Sequence, residues 1–285
     1  MNIALLRTPR LGLGLGILCL ALATACGDGD TVGGNDEVAD TGTGTTETTT
    51  ESGESGDTTT DTTTDTTETT DTGPTEIVVG GEVTDFFSMS GIGGAEISVM
   101  GMPGFETISD PNGLYSIPGM PPNTEVFFQI DGNIDTYWGG IRPAALPATD
   151  IDDLQLGQVA NSLIDLQLML LQDQDPTVMA DDTKAVIIVR LLQPTATGAM
   201  ISFDPPLPIN TSYGVDVDNK PALNGTTIDS SLLPFWVAFN IEPDAGGAYT
   251  VTVTHPERVC EVLHPVFPTM GHYVTLLDVD CPPPP

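Results

Sequence analysis

The hydrophobic and polar positions of this chain fall into three textures. Leu11 to Ala23 is an apolar run rich in Leu and Gly, and between Gly42 and Pro74 nothing is apolar apart from Pro74 itself. From Glu76 onward short apolar runs return, broken by Gly, Pro and Asn turns. Glu82-Val83-Thr84 and Ala95 to Val99 alternate with period two, as half-buried strands do. Leu114 to Ile117 and Glu125 to Ile130 add two more strands, and Asn112-Gly113 ahead of Leu114 predicts a hairpin turn. Ala185 to Val189 is a continuous apolar run suited to a strand buried on both faces. Ala199 to Phe203, Gly214 to Val217, Phe235 to Phe239, Tyr249 to Thr254 and His272 to Val279 complete the set. Only Asp150 to Gln172 reads as a helix, with Asp150 as its cap and Ile151, Leu154, Val159, Leu163, Leu166 and Leu170 at helical spacing. The pattern predicts a mainly β fold: two Greek-key β-sandwiches, at 76–148 and 184–281, joined by a helical connector at 149–183 and closed by a Pro tail at 282–285.

The two N-terminal textures change the picture from fold to location. Arg7 and Arg10 precede the apolar run, which at about 13 residues is shorter than the about 20 a membrane-spanning helix needs. Basic flank, short apolar core and small residues at its end predict a secretory signal at 1–25. The end, Ala23-Thr24-Ala25-Cys26, resembles the lipobox of bacterial lipoproteins, which implies cleavage before Cys26 and acylation of its thiol. Residues 26–75 then form a linker. Gly27 to Glu76 carries fourteen acidic residues and no Lys or Arg, the remainder being mostly Thr, Gly and Ser. Such a segment buries too little surface to offset its ordering entropy, which predicts a disordered stalk. A neutral flexible chain of about 50 residues averages roughly 40 Å end to end, and like charges lengthen it. The implied protein is exported and anchored by lipid, at the outer membrane or cell surface; Gly27 after the Cys does not suggest inner-membrane retention.

Charge narrows the partners. Seven Lys and Arg face forty Asp and Glu, a formal net charge of −33. A phosphate backbone needs clustered positive charge, so nucleic acid is excluded as a partner, and anionic headgroups are repelled. Possible partners are polysaccharide or a surface protein. Of the four cysteines, Cys19 lies in the signal and Cys26 takes the lipid. Cys260 and Cys281 remain as an even pair in an exported protein, where a disulfide is the expected outcome.

In the first β region, Gly81 to Asp85, Gly94 to Val99 and Ser109 to Gly119 follow the pattern of carboxypeptidase regulatory-like domains. This resemblance covers roughly 76–132 and implies a transthyretin-like β-sandwich of accessory, non-enzymatic character. Gly198-Ala199-Met200-Ile201-Ser202 parallels Gly94-Ala95-Glu96-Ile97-Ser98, so the second half looks like a divergent copy.

No residues assemble into recognisable chemistry. There is no Gly-x-Ser-x-Gly elbow, Walker loop or dinucleotide fingerprint, and Ser88 and Ser90 have no His until His255. No catalytic residue is assigned. His255, His264 and His272 do not match a zinc pattern. Asp216 and Asp218 are weak calcium candidates, without the ligand loop and glycine of an EF-hand. Tyr137, Trp138 and Trp236 are the aromatic candidates for stacking on a sugar ring. Trp236 lies opposite Phe235, Val237 and Phe239 and is expected to be core; Tyr137-Trp138, followed by Gly139-Gly140, is the more exposed expectation. The functional expectation is a non-enzymatic binding or structural module, with a carbohydrate-binding module as the alternative and a hydrolase less favoured.

The lipid anchor generates a direct test. Cys26→Ser is expected to move the exported protein from the membrane to the soluble fraction and to remove the acyl mass from its N-terminal peptide. Equal membrane retention of the variant would refute the anchor.

Overall fold

A computed structural model describes residues 75–244 and 247–284. The signal at 1–25, the lipid site Cys26 and most of the 26–75 linker lie outside the described residues.

The chain runs through β1 (Ile77–Asp85), β2 (Glu96–Val99), β3 (Glu106–Ile108), β4 (Leu114–Met120), β5 (Glu125–Asp131), β6 (Gly139–Ala145), β7 (Ile151–Gln158) and α1 (Asn161–Gln172). The second half follows as β8 (Ala185–Leu191), β9 (Ala199–Asp204), β10 (Ser212–Val215), β11 (Pro221–Leu223), β12 (Thr227–Ile228), β13 (Phe235–Ile241), β14 (Thr250–Thr254), β15 (Glu261–Val262) and β16 (Tyr273–Asp280). The fold is mainly β, as the sequence predicts.

Pairing repeats between the halves. In the first, β1 lies between β4, antiparallel, and β7, parallel, while β2 lies between β3 and β5. In the second, β8 lies between β13, antiparallel, and β16, parallel, while β9 lies between β12 and β14. Gly94 and Gly198, ahead of β2 and β9, both take positive φ. The two halves therefore carry one topology, in agreement with the sequence parallel at 94–98 and 198–202.

The halves are not joined as expected. β16 pairs parallel with both β8 and β6, fusing one sheet of each half into a ten-stranded sheet. Three-stranded sheets β4-β1-β7 and β12-β9-β14 complete the two sandwiches. Register fixes which face each one covers. Val126, Phe128 and Ile130 of β5 share a face with Val274 and Leu276 of β16, because Ile130 pairs with Gly140 and Gly140 with Val274. That face meets β4-β1-β7 over the first half and α1 over the second. The opposite face, through Ile187, Trp236, Leu277 and Val279, meets β12-β9-β14. The central strands β8, β13 and β16 are thus buried on both sides, which is why their sequences run apolar without alternation.

Two further expectations are corrected. The predicted helix at 150–172 begins only at Asn161, and Ile151–Gln158 is a strand. Ile151 and Leu154, three apart, fit a helix and are accommodated in the strand by a register shift against Val79 and Gly81, whereas Leu156 and Gln158 turn inward with period two, and the open backbone edge of β1 offers parallel pairing that a helix cannot use. Asp150 caps nothing: its carboxylate accepts the Val78 N–H at 2.8 Å, and the helix N-cap is Ala160, without a side-chain bond. Residues 149–183 are accordingly a strand of the first sandwich and a helix lying on the second, not a connector. Asn112-Gly113 also turns the chain between sheets instead of closing a hairpin, since β4 pairs with β1. Asp110 accepts the N–H groups of Asn112 and Leu114 at 2.8 and 2.9 Å, and a Cβ on Gly113 would stand 2.6 Å from the Val83 carbonyl.

At the seam, Asp278 of β16 bridges Arg142 of β6 and Arg190 of β8, with Arg190 Nε 2.9 Å away. The Asp278 side chain is 3 % exposed. Burial by itself raises its carboxyl; the attraction of Arg142, with the hydrogen bonds from both guanidiniums, outweighs this and holds it below the usual carboxylate range. Beyond it, Cys260 is bonded to Cys281, and Gln193 accepts the Cys281 N–H while Arg258 donates to the Cys281 carbonyl. A loop of this length contributes on the order of 3 kcal/mol when closed.

One shared strand implies one unfolding event. Calorimetry is expected to show a single transition for both halves, and Leu277→Ala, at a fully buried position, lowers it by about 2–5 kcal/mol without splitting it. Asp278→Asn leaves two guanidiniums uncompensated and costs about 3–5 kcal/mol near neutral pH. A carboxyl held low in the fold stabilises fully above its unfolded value of about 3.9, and that contribution fades as pH falls through the lower folded value. The Asn variant is therefore expected to lose the steep acid limb of the stability curve.

Candidate functional site

The aromatic candidates are positioned by strands, and the strands bury them. Trp236 of β13 is 3 % exposed, stacks on Phe203 at 5.3 Å between centroids and donates its indole N–H to the Gly225 carbonyl at 2.6 Å. It is core, between the two sheets of the second half, whereas Phe235, Val237 and Phe239 lie under α1. Trp138 is 7 % exposed and stacks on His272 at 4.6 Å, so the expectation of an exposed ring there is corrected. Pairing of Gly139 and Gly140 with Tyr273 and Val274 of β16 draws the segment into the sheet. A Cβ on Gly139 would stand 2.5 Å from the Tyr273 ring, so the glycine is where the two strands close on each other. Tyr137 is half-buried against the first core and bridges to Ala160. Neither tryptophan offers an open face to a sugar, and Tyr137 is only partly exposed.

The remaining candidates serve turns. Asp216 accepts the N–H groups of Asp218 and Lys220, both at 2.9 Å, which closes the β10–β11 turn with the same oxygen a cation would use. Asp218 contributes its N–H to that turn and not its carboxylate. Ser88 donates to Asp85 at 3.0 Å, in a loop whose Phe87 and Ser88 N–H groups also bond that carboxylate. His255 meets the Thr197 carbonyl at 3.0 Å, and His264 meets Glu125 at 3.1 Å. The histidines stand on separate elements, and among the described residues no three His, Cys, Asp or Glu side chains come together as a metal site.

Three surface features were not legible as sites. On the face of β2 and β3 that no sheet covers, Glu96, Ser98, Glu106, Ile108 and Asp131 line an open groove of about 490 Å³. Beside it Tyr273 donates to Asp131 and accepts from Gln129 at 3.0 Å. Burial, then Asp131, pushes the Tyr273 phenol up to about 12. Beneath α1 is an apolar cleft of about 40 Å³ whose one polar element is the Tyr213 hydroxyl bonded to Gln167. Burial raises that phenol strongly. The outer side of α1 carries Leu166, Met169 and Leu170, at 51, 63 and 38 % exposed. Helical spacing shows a helix, but an apolar residue carries the same signal whether its face is covered or bare.

No family model and no curated protein matches this chain, so the carboxypeptidase regulatory-like reading of residues 76–132 stands on its motifs alone. Among solved structures, the Bacillus anthracis TIE protein is similar at 8 % identity over 73 % of this chain, with a TM-score of 0.26. The chain spans 34 % of that protein's length. A shaft pilin, SpaA from Lactobacillus rhamnosus GG, is similar at 9 % identity over 74 % of this chain and 98 % of the pilin, with a TM-score of 0.21. A streptococcal ancillary pilin is similar at 12 % identity over 75 % of this chain and 64 % of its own, with a TM-score of 0.24. Superpositions this loose carry no argument about fold or role.

Proposed function

We propose that this protein is a lipid-anchored, non-enzymatic binding or structural module, presented outside the cytoplasm on an acidic stalk. The observation that carries the reading is the Cys260–Cys281 bond at the end of the strand shared by both halves. A disulfide there is stable in an oxidising compartment and ties the segment ahead of β15 to the end of the strand on which both cores depend. Signal, Cys26 and stalk supply export, attachment and reach from the sequence side. Buried aromatics, a buried carboxylate neutralised by two arginines and turn-closing aspartates are what a rigid scaffold uses; none of them is poised for proton or group transfer. Among the described residues no helix is long and apolar enough to cross a membrane. Carbohydrate binding has less support, because Trp138 and Trp236 are structural.

The test is chemical cross-linking on intact cells through Lys220, an exposed lysine. The reading expects a discrete neighbour to be captured by the wild-type protein and lost when Cys26→Ser releases it from the membrane. A freely diffusing protein without a neighbour, or an activity abolished by one Ser, Asp or His substitution, would overturn it.

A further inference from the structure

Helix α1 is apolar on two sides. At about 100° per residue, Leu163, Ile164, Leu168 and Leu171 face the sheet, and Leu166, Met169 and Leu170 face away. A helix that needed only to cover the sheet would carry polar residues outside. This one carries a bare apolar stripe with Asp165 near its start and Asp173 at its C-cap. Just past the helix Asn210 bonds Asp175 at 2.8 Å, and the residue before it, Ile209, is 83 % exposed. Gln174, just past the helix, donates to the Pro221 carbonyl of β11 at 2.7 Å, and the turn ahead of that strand carries Asp216 and Asp218 with Lys220 as its one cation. Asp173 and Asp175 also stand at the helix end where the backbone dipole is already negative, and no basic residue occupies the last turn. Thr177 holds the Asp175 carboxyl below its usual range, so that charge persists under mildly acid conditions.

Charge then decides what fits. The chain's own linker has only Val32, Val38 and Ala39 as apolar residues between Cys26 and Pro74 and is itself acidic, so it presents no amphipathic face to the stripe and is repelled by the aspartates beside it. A second copy would set Asp165 and Asp173 against their equivalents, in molecules of net charge −33. Anionic lipid meets the same repulsion.

We propose that the outer face of α1 is the docking surface for a cationic amphipathic segment of another protein, its apolar side on Leu166, Met169 and Leu170 and its Lys or Arg side chains toward Asp165 and Asp173. This rests on the binding-module reading and names the partner chemistry for it.

The probe is a synthetic 18-residue helix with Leu on one face and Lys on the other, titrated calorimetrically into the full exported protein at 150 mM salt. Saturable one-to-one binding is expected, weakened at least tenfold by Leu166→Gln/Met169→Gln, a pair that keeps every charge and sits on an exposed face. Asp165→Asn/Asp173→Asn is expected to weaken it about threefold to tenfold and to reduce its salt dependence. Unchanged binding by the Leu166→Gln/Met169→Gln protein would assign the peptide to the acidic stalk and overturn the proposal. So would a dimer of the wild type that this pair dissolves, or binding to zwitterionic lipid vesicles that it abolishes. The broader binding-module reading fails separately, through its cross-linking result.

Discussion

The structure depends on β16 lying between β6 and β8. Every other pairing in the ten-stranded sheet is made within one half of the chain; this one is made across both, by the last strand. Parallel pairing on both sides demands a strand with no bare face, and Val274 to Val279 is buried throughout. Asp278 is the charged exception, and its position is what makes it tolerable. It faces two guanidiniums from the flanking strands, so an ion that would be costly alone becomes a register mark between three strands. The arrangement leaves Nε and Nη1 of Arg142 buried without a protein acceptor among the described residues, a local cost accepted at the seam.

The repeated topology explains why such a seam can form. Each half presents one sheet built around a first strand with a parallel last-strand neighbour, and another built around β2 or β9. In the first half β6 ends the second type of sheet; in the second half β16 ends the first type. Two open edges meet there, and pairing removes both, which suppresses the edge-to-edge association that unpaired strands invite. The consequence is asymmetry: one face of the sheet is covered by a three-stranded sheet and a helix, and the other by a three-stranded sheet over the second half only. The acidic groove on β2 and β3 is the part of that second face left open.

Much of this was legible before any coordinate. Alternation at Ala95 to Val99 and Glu125 to Ile130, the continuous run at Ala185 to Val189 and the opposition of Trp236 to Phe235 and Val237 each follow from a period-two strand, and each stands in the structure. Cysteine arithmetic placed the disulfide. The errors share one cause. Ile151 to Gln158 reads as helix or strand according to which hydrogen-bond partners are available, and β1 supplies them from the far end of the first half. Trp138 reads as exposed beside two glycines until β16 is laid against them. Asp278, among apolar neighbours, gives no sign of two arginines arriving from 88 and 136 residues earlier.

By itself the sequence determined most of the strands, the helical stretch from Asn161, the strongly acidic charge balance and the expectation of an anchored, stalked protein. These are consequences of side-chain period, composition and backbone preference, all carried by neighbouring residues. Tertiary structure alone decided which strands pair, which face each covers, that the halves share one sheet and that the helix keeps an uncovered side. Those outcomes depend on which of several open edges and apolar faces meet. An isolated strand or helix looks the same to its own sequence whichever partner it finds.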